Sequence, residues 1–317
     1  MLMILCKRGS ASAKMLSELA DVPRCYWQGR AGSPLGATHL INWGCFGAPH
    51  QKFLAKYPFA STLPVINKLW PGGKYTCIKL VKEAGVPVPI SVDDVDQAAW
   101  TNTHWIYKPY LSRGGRGIVR IDNNNGHELD WNRGYAQQEV RDRKYEVRVS
   151  AFNWLAPEEW GCWKKFCNNQ DQLTWNHEQG GVFEKVDEPL NYPLFQRCFK
   201  HSAIILKTLG LQFGAIDFIV GPTWNEMFLE INTQPGFTQD YGADVYVKAI
   251  ERLKDMPVEM INSLIQGERH NEIEELIIPQ NEEIVPEPLI DDLLRDQLNA
   301  MLRYRSKDEI LSILNRL

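Results

Sequence analysis

One stretch constrains this chain more than any other: Ala215-Ile-Asp-Phe-Ile-Val220, a short gap, then Met227-Phe-Leu-Glu-Ile-Asn-Thr-Gln-Pro-Gly236. The two apolar runs flank Gly221-Pro-Thr-Trp-Asn225, which predicts a turn between antiparallel strands. A hairpin symmetric about Thr223 and Trp224 sets Asp217 opposite Glu230. Glu230 and Asn232 are two residues apart and share one face of their strand. If Asp217 points the same way, three oxygen donors converge inside runs that otherwise favour burial. Buried carboxylates need a cation or a full set of hydrogen bonds, and a hard divalent ion such as magnesium suits them. A solvated strand face ending in a plain turn is the competing reading of the same residues.

The chain has 317 residues, 44% hydrophobic and 23% charged, with a net charge of −4. The composition fits a globular enzyme and excludes a disordered chain; the net charge does not point to a general nucleic-acid binder, though it leaves room for a local basic groove. The seven cysteines are scattered without a Cys-x-x-Cys pair, which fits a reducing, cytoplasmic compartment rather than a disulfide framework or a zinc site. Met1 to Cys6 is too short for the core of a signal peptide and predicts a first strand; no apolar run has the length of a membrane span, so no membrane partner is expected.

The pattern predicts an α/β (α+β) chain in four parts. Residues 1–67 form a short α/β unit, with a strand at Leu2–Cys6, a helix at Ser10–Leu19 and a strand at Thr38–Trp43. Residues 68–140 carry a helix from Lys74 to Ala84, stopped by Gly85, then strands at Trp105–Pro109, Ile118–Ile121 and Tyr135–Val140. Residues 141–266 carry a strand at Tyr145–Phe152, a helix at Leu194–Leu209 ended by Gly210, the hairpin, and a helix from Ala243 interrupted near Pro257. Residues 267–317 read as an acidic linker and two short amphipathic helices that need a surface to dock on: the body, each other or a second subunit. The stretches around residues 8–12, 28–50 and 160–185 predict loops that set specificity.

Lys108 and Pro109 lead into Ser112-Arg-Gly-Gly-Arg-Gly117. Gly114, Gly115 and Gly117 let backbone N–H groups approach an anion, and a neighbouring lysine supplies a point charge for phosphate. The loop lacks the Gly-Lys-Ser/Thr of a Walker A motif, and a plain hairpin loop also accounts for it. Tyr145-Glu-Val-Arg148 alternates polar and apolar residues. Glu146 could accept hydrogen bonds from a ribose diol, or form an exposed same-face ion pair with Arg148.

Taken in order, these pieces resemble the ATP-grasp superfamily. Tyr107-Lys-Pro with its glycine loop, Glu139-Val-Arg-Asp-Arg-Lys-Tyr-Glu146, and Asp217…Glu230-Ile-Asn232-Thr-Gln-Pro-Gly carry the resemblance, which covers about residues 65–265. It implies an ATP-grasp fold with nucleotide held between two α+β subdomains. Lys74 and Lys108 would contact phosphates, Ser112, Gly114, Gly115 and Gly117 would form the lid, Glu139 and Val140 would meet adenine, and Glu146 would hold ribose. Asp217, Glu230 and Asn232 would hold two magnesium ions, with manganese as the substitute ion. Lys164 or Lys165 would reach the γ-phosphate. The implied reaction joins a carboxylate to an amine, small molecule or peptide, through an acylphosphate, releasing ADP and phosphate. In the D-alanine–D-alanine ligase branch an arginine lies two residues before the first metal aspartate, where this chain has Ala215. Arg148 is the candidate replacement, and its Glu-Val-Arg-Val context is closer to the RimK-like glutamate ligase branch. The alternatives are a catalytically silent ATP-binding module acting through the C-terminal helices, and an ATP-grasp phosphotransferase.

Overall fold

The computed structural model describes residues 1–28, 32–69, 72–94, 104–110, 115–121, 126–167, 171–175, 180–239 and 241–267. They lie within one compact unit, Met1–Ile278. The two helices expected beyond residue 288 fall outside the described residues, as do Ser112 and Gly114. None of the helices described is long and apolar enough to cross a membrane.

The first sheet is parallel, in the order β2-β1-β3-β4. Its members are β1 (Leu2–Cys6), β2 (Arg24–Tyr26), β3 (His39–Trp43) and β4 (Val65–Ile66). Every residue of β1 and β3 is buried, as parallel strands covered on both faces require. Helix α1 (Ala11–Leu19) starts at Ser10, whose Oγ accepts from the Ala13 N–H at 3.3 Å. Helix α2 (Ala48–Lys56) and strands β2 and β4 occupy stretches whose short or polar sequences carry no clear period. Asn67 ties this sheet to the rest of the unit. Its backbone N–H donates to Gln212 Oε1 at 2.7 Å and its Nδ2 to the Phe213 carbonyl at 2.8 Å; its Oδ1 accepts from the backbone N–H groups of Gln212 and Phe213.

Helix α3 (Lys74–Glu83) precedes the second sheet, and Gly85 takes the left-handed turn that ends it, at φ +84°. This sheet is antiparallel, ordered β5-β8-β6-β7, from β5 (Ser91–Val92), β6 (Trp105–Pro109), β7 (Val119–Ile121) and β8 (Gly134–Gln138).

The third sheet, also antiparallel, runs β11-β10-β9-β12-β13. It contains β9 (Tyr145–Phe152), β10 (Gly161–Phe166), β11 (Val182–Lys185), β12 (Phe213–Val220) and β13 (Glu226–Asn232). Helix α4 (Pro193–Leu209) places Phe195, Cys198, Phe199 and Leu206 in the core, and Gly210 stops it at φ +64°. Helices α5 (Ala243–Lys254) and α6 (Val258–Gln266) meet at Pro257, where the missing N–H forbids one continuous helix. The expectation of loops at 160–185 is corrected: β10 and β11 lie within it, and their pleat decides which side chains face the site.

Candidate functional site

The geometry starts with strand order. β9 lies beside β12, and β12 beside β13, so Arg148, Asp217 and Glu230 stand in one row across three strands. The β12–β13 register shifts just after Asp217: Asp217 faces Glu230, but Phe218 faces Phe228, leaving Leu229 as the extra residue of a bulge. Bulges of this kind twist a strand and re-aim its side chains. Leu229, Asp217 and Glu230 all line a cleft of about 750 Å³. Its opposite wall comes from the second sheet and α3, through Lys74, Lys108, Gln137 and Glu139.

Lys74 Nζ donates to Glu230 Oε2 at 2.8 Å, and Asn232 Nδ2 donates to Glu230 Oε1 at 3.2 Å. Burial alone would raise the Glu230 carboxyl. The Lys74 charge and hydrogen bond, the Asn232 amide and the Lys108 charge overcome it and hold the group down to about 2. Arg148 makes a fork with Asp217, Nε to Oδ1 and Nη2 to Oδ2, both at 2.7 Å. Burial opposes the guanidinium charge, but Asp217 outweighs it and holds the arginine charged. Lys108 Nζ donates to Gln137 Oε1, and Gln137 Nε2 donates to Ser91 Oγ at 3.0 Å. Burial pushes Lys108 down to about 8; Glu230 opposes that shift and Lys74 adds to it.

Lys164 and Lys165, which the sequence left unresolved, lie on opposite faces. Lys165 is opposite Glu146, donates to its Oε2, and stands 4.0 Å from Asp217 Oδ2. Lys164 Nζ lies over the Tyr145 and Phe195 rings, toward α4. Glu146 is 4% exposed. Its Oε1 takes a hydrogen bond from Arg143 at 3.1 Å. The competing reading of Glu146 as half of an exposed ion pair with Arg148 is therefore ruled out. Arg148 belongs to Asp217, because β12 rather than open solvent lies beside β9.

Glu139 is engaged by two arginines. Arg120 on β7 donates to both carboxylate oxygens, at 2.8 Å from Nη2 to Oε1, and Arg141 adds a bond at 3.4 Å. Burial would raise this carboxyl, but the two arginines lower it. Arg120 Nη2 also donates to the Asp171 carbonyl at 2.8 Å, joining β7 to segment 171–175. Of the glycine loop, Gly115 and Gly117 are described, both at positive φ. A Cβ on Gly115 would come within 2.5 Å of Thr174 Cγ2.

Sequence reasoning missed Arg143, Thr174 and Trp175. Arg143 donates to the Gln172 and Leu173 carbonyls and stacks over the Trp175 ring at 3.8 Å. Trp175 is buried, and its indole N–H has no hydrogen-bond partner among the described residues. The available signal was a lone aromatic inside the polar run from Asn168 to Gln179.

Among the described residues no three His, Cys, Asp or Glu side chains gather as a self-sufficient metal site. The donors expected from the sequence, Asp217, Glu230 and Asn232, would supply two carboxylates and one amide oxygen. This suits a magnesium ion that takes its remaining ligands from phosphate and water.

No family model and no curated protein matches the sequence. Solved structures do match the fold. D-cycloserine synthetase DcsG superposes with a TM-score of 0.58 at 15% identity, over 82% of this chain and 99% of that one. The D-alanine–D-alanine ligase of Bacillus anthracis, complexed with ATP, gives 0.56 at 14%, over 84% and 98%. A RiPP-associated ATP-grasp ligase of Chryseobacterium gregarium, in complex with ADP and a leader and core peptide, gives 0.55 at 13%, over 81% and 97%. The chain has the ATP-grasp fold. Within that ATP-grasp fold the cleft lies between the antiparallel second and third sheets, and its charged side chains come from both.

Proposed function

We propose that this chain is an ATP-dependent ligase that joins a carboxylate to an amine through an acylphosphate. One observation carries the reading: on an ATP-grasp fold, a single cleft gathers Lys74, Lys108, Arg148 and Lys165 around Asp217 and Glu230. Phosphoryl transfer asks mainly for positioning and charge neutralisation, and these side chains are suited to both. Lys74 and Lys108 bind the phosphates. Glu146, braced by Arg143 and Lys165, accepts from ribose hydroxyls with its remaining lone pairs. Glu139 is committed to Arg120, so the base edge is met by the backbone of Val140. Lys165 and Arg148 neutralise charge on the transferred group. Asp217, Glu230 and Asn232 hold magnesium, which withdraws charge from the phosphoryl oxygens when bound. The acid and amine are amino acids or peptides, the kinds of molecule named for two of the structural neighbours, and the Arg148 context fits the RimK-like branch. Deleting residues 289–317 is expected to alter oligomeric state or solubility before it alters nucleotide binding, and light scattering on the truncated chain checks this.

Hydroxylamine trapping tests the reaction. Incubation with ATP, magnesium and a pool of amino acids and peptides is expected to give an acyl hydroxamate together with ADP. Acid-dependent ADP without hydroxamate would mean phosphotransfer only. Absence of ADP release would favour a silent binding module, a reading to which the ion-paired state of both carboxylates lends some weight.

Two further outcomes are expected. Gly115→Ala forces a side chain into a left-handed backbone position and against Thr174, costing about 1 kcal/mol of stability. Displacing the lid raises the KM for ATP about tenfold, equivalent to ~1.4 kcal/mol, and steady-state kinetics with varied ATP checks it. Lys108 supplies a pH dependence. Its folded value of about 8 lies below the ordinary 10.5, so the free protein binds fewer protons than the unfolded chain between those values and gains stability as pH rises through them. Polyphosphate restores the charged lysine. ADP binding is therefore accompanied by proton uptake near pH 8 and weakens as pH rises from 8 toward 10. Calorimetry in buffers of different ionisation heat reads both effects.

A further inference from the structure

The two carboxylates proposed to hold a divalent ion are each matched by a protein cation. Arg148 donates one hydrogen bond to each oxygen of Asp217. Lys74 holds one oxygen of Glu230 and the Asn232 amide holds the other. Charge-assisted bonds of this length are among the stronger contacts a carboxylate makes. A divalent ion arriving alone has to displace a guanidinium or an ammonium, which then remains beside it as a like charge. The surroundings add to this barrier. Among the described residues lining the cleft, eight side chains are cationic and six anionic, a surplus of two positive charges. Such a field repels a free cation and attracts a polyphosphate. A polyphosphate also offers Lys74 and Arg148 new acceptors, so both can leave their carboxylates without losing a partner.

We propose that Arg148 and Lys74 act as positioning residues that guard Asp217 and Glu230 against free divalent ions, so that metal binds weakly alone and tightly with a polyphosphate, by exchange of ion-pair partners. This rests on the reading of the cleft as a nucleotide site. By linkage, metal and nucleotide then strengthen each other's binding by the same factor.

The test uses the full chain and manganese alone, followed by the spin-resonance signal of the free ion. The unaltered protein is expected to take up manganese weakly. Lys74→Met and Arg148→Met are expected to bind it about 5- to 150-fold more tightly, the usual span of such coupling. Adding Asp217→Asn to Arg148→Met abolishes that gain. Lys74 is one-third exposed, so its variant keeps the test open if the Arg148 variant does not fold. In a second measurement, the melting temperature of the unaltered protein rises more with ADP and manganese together than the sum of the rises with each alone. Equal manganese affinity in unaltered and variant proteins, strictly additive melting shifts, or no response to ADP with manganese would each overturn the proposal. Neither measurement needs an acid or an amine. A chain that shows the exchange but yields no hydroxamate keeps this inference and loses the ligase reading; the reverse result does the opposite.

Discussion

Glu230→Gln is expected to lower ATP turnover by about 100- to 1000-fold, the usual loss when one electrostatic stabiliser of a transition state is removed, while the protein stays folded. The side chains are nearly isosteric, so the change removes charge rather than volume. Three consequences follow from the charge. Lys74 loses the partner it holds at 2.8 Å. The donor set keeps one carboxylate instead of two, and the cleft becomes more positive. None of these disturbs the apolar core, because Glu230 and Lys74 are each about one-third exposed in their side chains, and ion pairs with that much solvent contribute little to stability. A melting curve close to that of the unaltered protein, with ADP release reduced as stated, is the expected pair of results. Normal ATP consumption by a well-folded Glu230→Gln variant would show that the metal and phosphate site lies elsewhere.

The second large effect is on stability. Arg148→Met is expected to cost about 3–5 kcal/mol, the loss typical of breaking a buried ion pair and leaving one charge behind. The side chains of Arg148 and Asp217 are 15% and 5% exposed. Lys165, at 4.0 Å and already engaged with Glu146, replaces only part of the lost interaction. Asp217→Asn combined with Arg148→Met removes both charges and recovers much of the loss, since an uncharged pair of similar volume needs no counter-ion. Urea denaturation of the two single variants and the double variant measures this coupling directly. A single-variant cost below ~1 kcal/mol, the level of exposed pairs, would mean that the pair is solvated in solution.

The two effects fall on neighbouring positions of one strand row yet differ in kind. Asp217 is buried and depends on its partner for the fold. Glu230 lines the cleft and is one-third exposed, so its ion pair contributes little to the fold. The distinction comes from the sheet, where β12 is covered by β9 and β13 on either side and β13 is an edge.

Much of the local structure was legible. The stretch Tyr145–Phe152 reads as a strand because its β-branched and aromatic residues alternate with polar ones, and it is one. The helix ending at Gly210 was legible from its period and its left-handed cap. The β12–β13 hairpin was legible because its turn is short and its partners lie close in sequence, so pairing Asp217 with Glu230 needs no long-range information. The brief strands β2, β4 and β5 and the strands β10 and β11 were not. Short edge strands draw their stability from neighbours rather than from propensity, and the polar run between Asn168 and Gln179 hides the return from β10 to β11.

The candidate site divides along the same line. Sequence alone determined which residue types could handle phosphate and a hard cation, and where the hairpin carrying the carboxylates would turn, because those depend on chemistry and on contacts a few residues apart. Only the tertiary structure decided the partners: that Arg148 serves Asp217, 69 residues away, that Glu139 is held by Arg120, that Lys165 rather than Lys164 faces the cleft, and that Arg143 and Trp175 build its wall. Strand order and pleat set those choices. They follow from how the sheets bury their apolar faces against the rest of the chain, a property of the whole packing that no single segment encodes.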